Sequence, residues 1–472
     1  MPPFLQDLLL ASSSRVPDRI ALVCASQQVS YRKLVQLAQA LAAMLESAGV
    51  NRGDRVLIIA DNCVEFVVSF WAVLMAGAVA CPIHPDTPAA RLAWYLDDTQ
   101  ARAVLRNASL PGSLASVPLR SRGNPAGLAA ILYTSGSTGV PKGVMLSHAN
   151  MLAAAQALQE YLGYREDDVV LAALPMSFDY GLYQMVLAGA AGASLLLEPS
   201  FHFVPQVVAR MARERVTVFP GMPTVFALLA QFRTMESFDL SCVRLVTSTG
   251  APLGQEKIRW LQGAFPAAQL YSMYGLTECK RVSYLPPRDL ARKPGSVGVP
   301  MPGLRFWVVD ALGHALPPDT VGELVVQGPT VMQGYWGDPR ASAARLRPGP
   351  QGTVLHTGDL CRIDADGYLS IVGRMDDMIK CRGERVAPRQ IEIALLEVPW
   401  VRDAVVIGVP DEVQGHAIKA FVVPDASARG RERELRDALR GRLEPRLVPS
   451  SFEFRDAFPL GPNGKTDRTQ LH

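Results

Sequence analysis

Only seven cysteines occur in the 472 residues, and no two form a C-x-x-C pair. That excludes a disulfide-stapled scaffold and a zinc ribbon, which need thiols paired at short spacing. An odd number of scattered thiols fits a reducing compartment. Charge of one sign is lacking as well: 47 Lys and Arg against 44 Asp and Glu leave +3. A dedicated nucleic-acid binder shows a strongly basic domain or stripe, so no nucleic-acid partner is expected. The chain also lacks an uninterrupted apolar run. Its longest uncharged stretch, 66–85, approaches spanning length but is broken by Gly77 and Pro82. It reads better as a buried helix at 67–75, a Gly turn and a buried strand at 78–83. No basic residue precedes the short apolar run near the start, so no secretory signal is expected. These absences predict a protein without a membrane span, in the cytoplasm. No internal repeat is visible.

Hydrophobic residues make up 49% and charged residues 19%, which rules out disorder by composition. The length corresponds to about three domain-equivalents. Ser30 is placed to cap a helix whose apolar positions Leu34, Leu37, Leu41, Met44 and Leu45 recur at helical spacing, with Gly49 ending it. A strand at 56–59 follows the Gly53-Asp54 turn. Similar alternation returns at 169–174, 183–191, 193–197, 204–214, 216–219 and 243–247, which predicts parallel sheets with covering helices. From about 305 the texture changes to short β runs (305–310, 322–328, 354–360, 367–373) separated by Gly and Pro. Beyond Asp376 the pattern is helix 388–398, strands 403–409 and 417–423, helix 431–443 and a polar tail, a small α+β unit of about 95 residues. The stretch 107–127 reads as a mobile loop.

The sharpest chemical signal follows an apolar strand ending at Tyr133. It runs Thr134, Ser135, Gly136, Ser137, Thr138, Gly139, Val140, Pro141, Lys142, Gly143. Glycines let backbone N–H groups approach a polyphosphate, hydroxyls add donors, and the ammonium offsets charge. Pro141 stands where a Walker A loop needs Gly, so the loop is of another kind. Further on come Tyr274-Gly275-Leu276-Thr277-Glu278, Gly322-Glu323-Leu324, Thr357-Gly358-Asp359, Gly373-Arg374-Met375-Asp376-Asp377 with Lys380-Cys381-Arg382-Gly383, and Gly461-Pro462-Asn463-Gly464-Lys465. Each alone is weak. In this order, over some 330 residues, they are specific.

The series resembles the adenylate-forming superfamily: acyl-CoA synthetases, luciferases and the adenylation domains of nonribosomal peptide synthetases. The resemblance implies an α/β protein. Residues 1–375 would form a large domain of parallel-rich sheets with covering helices, its β-rich subdomain at about 300–375. Residues 376–472 would form a small mobile α+β lid. It implies ATP and Mg²⁺ as cofactors and a two-step reaction. A carboxylate, too stabilised to be attacked directly, is converted to an acyl-adenylate with release of pyrophosphate. The acyl group then passes to a phosphopantetheine thiol, on a carrier protein acting in trans or, alternatively, on CoA. By the same resemblance Glu278 would ligate Mg²⁺ and Thr277 would hydrogen-bond the α-phosphate. Asp359, helped by Arg374, would accept the ribose hydroxyls. Tyr274 would stack near the adenine, with Gly275, Gly250 and Ala251 beside it. Lys465 would bridge the substrate carboxylate and the α-phosphate. Asp376 would be the hinge that exchanges Lys465 for residues 380–386, where Gly383 lets the pantetheine arm pass. About 45 residues separate 77–85 from the phosphate loop, tens fewer than the family usually has, which trims a face that often supports dimers. An oxidase of the luciferase kind and a catalytically silent nucleotide binder are competing readings. Nothing in the sequence marks O₂ chemistry, and Glu278 and Lys465 are both retained.

The acid is less legible. Asp179 stands where amino-acid-activating members carry the carboxylate that reads the substrate ammonium. It also precedes an apolar helical run, so it equally reads as a helix N-cap. Arg281 could bind an acidic side chain, could neutralise Asp179, or could with Lys280 be an ordinary surface charge. Tyr180, Tyr183, Pro220, Thr247, Thr249, Met273 and Val282 complete the expected pocket for a small carboxylic or amino acid.

Overall fold

The structure, a computed structural model, describes residues 3–107, 127–134, 140–251, 253–349, 352–381, 384–411, 415–425, 431–444, 447–459 and 466–471. The loop expected at 107–127 lies, apart from its two end residues, outside them.

The helix Tyr31–Ser47 forms as its spacing predicts. The Ser30 hydroxyl accepts from the Lys33 amide, and Leu34, Leu37, Leu41 and Leu45 are buried. Met44 does not join them. It is 54% exposed, because the buried stripe continues through Leu41, Ala42 and Leu45 and leaves position 44 on the flank. The uncharged stretch resolves into the helix Val64–Met75 and the strand Val79–Ile83. Every residue of that helix except Glu65 is buried, as befits a helix apolar all round. Among the described residues no helix is long and apolar enough to cross a membrane.

Two parallel-rich sheets form the large body. In one, Ile20–Cys24, Ser194–Leu197, Val169–Ala172, Val218–Gly221, Leu245–Ser248 and Gln269–Tyr274 run parallel in that spatial order. Antiparallel strands close both edges: Gln27–Ser30 on one side, Ser283–Leu285 and Val299–Pro300 on the other. The second sheet sets Ala103–Arg106, Arg55–Ile59, Val79–Ile83 and Leu128–Thr134 parallel, then Lys142–Ser147 and Gly334–Tyr335 antiparallel. The β-rich texture after 305 is an antiparallel sheet of Arg305–Val309, Val321–Gln327, Gly352–Ile363, Leu346–Gly349 and Leu369–Arg374. The C-terminal part builds a further sheet on Val401–Asp411 and Gly415–Pro424, with its own core of Ile391, Leu395, Val406, Ala420, Val422, Leu435 and Leu439.

Two features depart from the sequence reading. The polar tail contains a strand, Ser451–Phe454, that pairs in parallel with Gly415–Pro424. The N-terminal helix Gln6–Arg15 and the hairpin Ile20–Cys24/Gln27–Ser30 are additional elements. All are short or lie at an edge, where half-exposed polar residues blur the apolar period.

Candidate active site

The carboxyl ends of neighbouring parallel strands form a rim, the usual place for a ligand in an open α/β sheet. Register puts Pro220 beside Thr247, Gly221 beside Ser248, and Thr247 beside Tyr271. The strands therefore deliver Pro220, Thr247, the Thr249–Gly250–Ala251 turn, Met273 and Tyr274 to one edge. Helix Asp179–Ala191 begins against it. The Tyr180 hydroxyl donates to the Thr247 carbonyl at 2.9 Å and lies 2.6 Å from its Oγ1. Burial pushes that phenol up to about 12. Tyr183 is anchored through its hydroxyl to the Met151 carbonyl at 3.1 Å, and Met273 Sδ accepts from Tyr161 at 3.2 Å.

After Tyr274 the chain folds back on itself. The Val282 amide donates to the Tyr274 carbonyl at 2.8 Å, so residues 275–281 form a tight loop. Gly275 is required by close approach: a Cβ there would lie 2.2 Å from the Lys280 carbonyl oxygen. Lys280 itself has φ +69°, in the left-handed region. The loop presents half-buried Thr277 and Glu278 on one side and turns Lys280 and Arg281 inward on the other.

Three groups of polar contacts line this loop. In the first, the Tyr335 hydroxyl donates to Glu278 Oε1 at 2.8 Å, and Lys142 Nζ lies 5.2 Å from the centre of the Tyr335 ring. Burial, with Glu278 adding to it, pushes the Tyr335 phenol far up, so it stays a donor. In the second, Asp359 accepts from the Tyr274 hydroxyl and pairs with Arg374 Nη1 at 3.1 Å. Burial raises the Asp359 carboxyl above the ordinary value, while Arg374 and Tyr274 oppose the rise. Arg389, from the helix Pro388–Leu396, acts on the same carboxylate, and its buried Nε has no hydrogen-bond partner among the described residues.

In the third, Asp179 is held by two cations. Lys280 Nζ lies 2.5 Å from Oδ1 and Arg281 Nη1 lies 3.2 Å from Oδ2. The N-cap reading of Asp179 is therefore corrected. Phe178 occupies the cap position without a side-chain cap bond, and Asp179 is already helical. The surface-charge reading of Lys280 and Arg281 is corrected too, since they are 1% and 4% exposed. Burial lowers the Lys280 ammonium's pKa and Asp179 opposes that shift.

The AMP-binding enzyme profile matches residues 9–123 and 116–336, and the AMP-binding enzyme C-terminal domain profile matches 390–465. The chain belongs to the AMP-binding enzyme family. It is an AMP-forming ligase. A feruloyl-CoA synthase from Amycolatopsis is 33% identical over 95% of this chain and 94% of its own. Phosphinothricin tripeptide synthetase PhsC from Streptomyces viridochromogenes is 33% identical over 99% of this chain, which spans only 45% of that protein. The crystal structure of ATP-bound MatB from Rhodopseudomonas palustris superimposes with a TM-score of 0.89 at 30% identity, covering 100% of this chain and 98% of that one.

For this ligase the structure thus brings together most of the residues singled out from sequence. Ser135, Gly136, Ser137, Thr138, Gly139, Gly383 and Lys465 lie outside the described residues. Asp376 falls in the 375–378 connection between the strands Leu369–Arg374 and Ile379–Cys381, 3.5 Å from Arg345 Nη2. Tyr335, Arg345 and Arg389 were not foreseen. Each reaches the site from a distant stretch, and no local spacing announces them. Among the described residues no group of three or more His, Cys, Asp or Glu is placed to hold a metal ion.

Proposed function

We propose that this ligase activates a small carboxylic acid with ATP and passes the acyl group to a phosphopantetheine thiol. The observation that carries the reading is the rim itself. Glu278 with Tyr335 and Lys142, and Asp359 with Tyr274 and Arg374, flank one loop whose inner side sets Lys280 and Arg281 against Asp179.

In the first step a substrate carboxylate oxygen attacks the α-phosphorus. The bond to the β-phosphate breaks and pyrophosphate leaves. Thr277 is assigned the α-phosphate contact and Asp359 the ribose, with Arg374 paired to its carboxylate. Thr134, the Ser135–Gly139 turn and Lys142 are assigned the outgoing phosphates. A Mg²⁺ ion typically binds through one or two carboxylates plus substrate phosphates, and Glu278 fits as the single hard protein ligand, aligned by Tyr335. There the ion would offset pyrophosphate charge. In the second step the thiol sulfur attacks the acyl carbon, the thiol proton goes to solvent, and AMP departs.

The thiol's carrier is open to two sources with the same chemistry. A carrier protein acting in trans is one, and the near end-to-end match to a CoA ligase supports CoA as the other. The engagement of Asp179 by two cations argues against a free amine reader, and so against a simple amino acid. All seven cysteines are free thiols, which fits a reducing compartment, and we place the enzyme in the cytoplasm on that ground.

The test is a carboxylic-acid panel in ATP–pyrophosphate exchange, first without a thiol and then with CoA or a holo carrier protein. Exchange that depends on the acid and needs no thiol is expected. Absence of exchange with every acid would refute the reading.

A pH dependence follows from Asp359. Its folded pKa is raised, so ionisation is lost earlier on acidification than for an ordinary carboxylate. AMP affinity measured by calorimetry should fall as pH drops, starting above the usual carboxylate range. Asp359→Asn should flatten that limb. An equally steep limb in the variant would show that another group titrates.

A further inference from the structure

The cluster at Asp179 carries one more positive charge than it neutralises. Two cations share a single carboxylate, and all three side chains are at most 5% exposed. Tyrosine rings cover them: Arg281 lies over Tyr180 at 4.7 Å and Lys280 over Tyr183 at 5.0 Å. Arg281 Nη1 donates to Asp179 and to the Lys280 carbonyl at 2.9 Å. Its Nε is fully buried and has no acceptor among the described residues. A guanidinium has only donors, and a buried one left unmatched is costly. Tyr180, whose face Arg281 covers, is itself bonded to Thr247 on the rim, so the surplus charge lies beside residues assigned to the acid.

We infer that the acid carries a second anionic group, in the simplest case a second carboxylate, which docks against Arg281 and Lys280 while the first carboxylate is adenylated. The substrate class is then a dicarboxylic acid. Such a ligand supplies both the missing acceptor for Arg281 and the missing negative charge. A monocarboxylic acid supplies neither, and an amino acid adds a cation to a site already in surplus. Asp179, in this arrangement, positions the two cations and does not touch the substrate. The inference rests on the acid-activating reading above and deepens it.

The test compares kcat/KM in ATP–pyrophosphate exchange for dicarboxylic, monocarboxylic and ω-amino acids of matched chain length. It uses the native protein, Arg281→Met and Arg281→Lys. The native enzyme should prefer the dicarboxylic acid. The ratio of dicarboxylic to monocarboxylic kcat/KM should fall about 10- to 100-fold in Arg281→Met, the scale of losing a charge-assisted hydrogen bond. Arg281→Lys, which keeps the charge, should recover part of that ratio. The ratio is insensitive to a uniform loss of folded protein, and Arg281→Lys supplies the measurement if the Met variant does not fold. Native exchange with monocarboxylic or amino acids in preference to dicarboxylic ones would overturn this inference alone, as would an unchanged ratio in the variants. Absence of exchange with every acid would overturn the proposed function as well.

Discussion

Lys465→Ala is expected to slow adenylate formation by roughly 10²–10³-fold, the scale of removing one donor aimed at developing transition-state charge. Thiol transfer from a supplied acyl-adenylate should survive. The assignment follows from the match of 461–465 to the C-terminal family pattern and from the chemistry of a point charge on a flexible stem. In the first step the entering carboxylate and the α-phosphate are both anionic, and charge builds on the phosphoryl oxygens as the β-phosphate leaves. In the second step charge develops instead on the acyl oxygen and on the oxygen that departs with AMP, and the proposed rotation at residue 376 takes this ammonium away before it does. Pyrophosphate exchange and single-turnover transfer from synthetic acyl-AMP measure the two steps separately. Equal loss in both would contradict a lysine confined to one half-reaction.

Asp376→Pro is expected to do the reverse. Residue 376 lies in the four-residue connection between two sheets, outside either ladder. The Met375 amide is tied to the Gly358 carbonyl at 2.8 Å and Asp377 to Arg374 at 3.3 Å. The Arg345–Asp376 contact, at 3.5 Å and 44% exposure of the Asp, is a surface pair worth about 0–1 kcal/mol. It cannot hold the connection in one state. Proline would fix φ near −65° and constrain Met375 before it. Exchange should persist, while thioester formation falls by about 10²-fold, the cost of misplacing reacting groups by an ångström or so. Unchanged overall turnover would show that rotation at residue 376 is not needed.

The elements that carry the rim were legible because their signals are local. Alternating apolar strands and helices predicted the parallel sheets, and the order of short Gly-rich motifs singled out Tyr274, Glu278 and Asp359. What stayed illegible is pairing over distance. Lys280 and Arg281 read as adjacent charges after Glu278, yet the left-handed turn at Lys280 and the bare Cα of Gly275 fold them inward to Asp179, some hundred positions earlier. Tyr335 sits in a two-residue strand with no periodic signal of its own, and Arg389, although in a helix read from the sequence, acts on Asp359 only through the tertiary fold. The edge strand Ser451–Phe454 was lost in a polar tail because only one partner strand holds it.

The most direct measurement follows the substrate's own oxygen. The preferred acid, labelled with heavy oxygen in the reacting carboxylate, is turned over with ATP and the thiol acceptor. Attack on the α-phosphorus makes a carboxylate oxygen the bridge to AMP, and thiol attack breaks the acyl carbon–oxygen bond. The account therefore predicts one labelled oxygen in the AMP released. Label in inorganic phosphate beside ADP, or AMP without label, would contradict it.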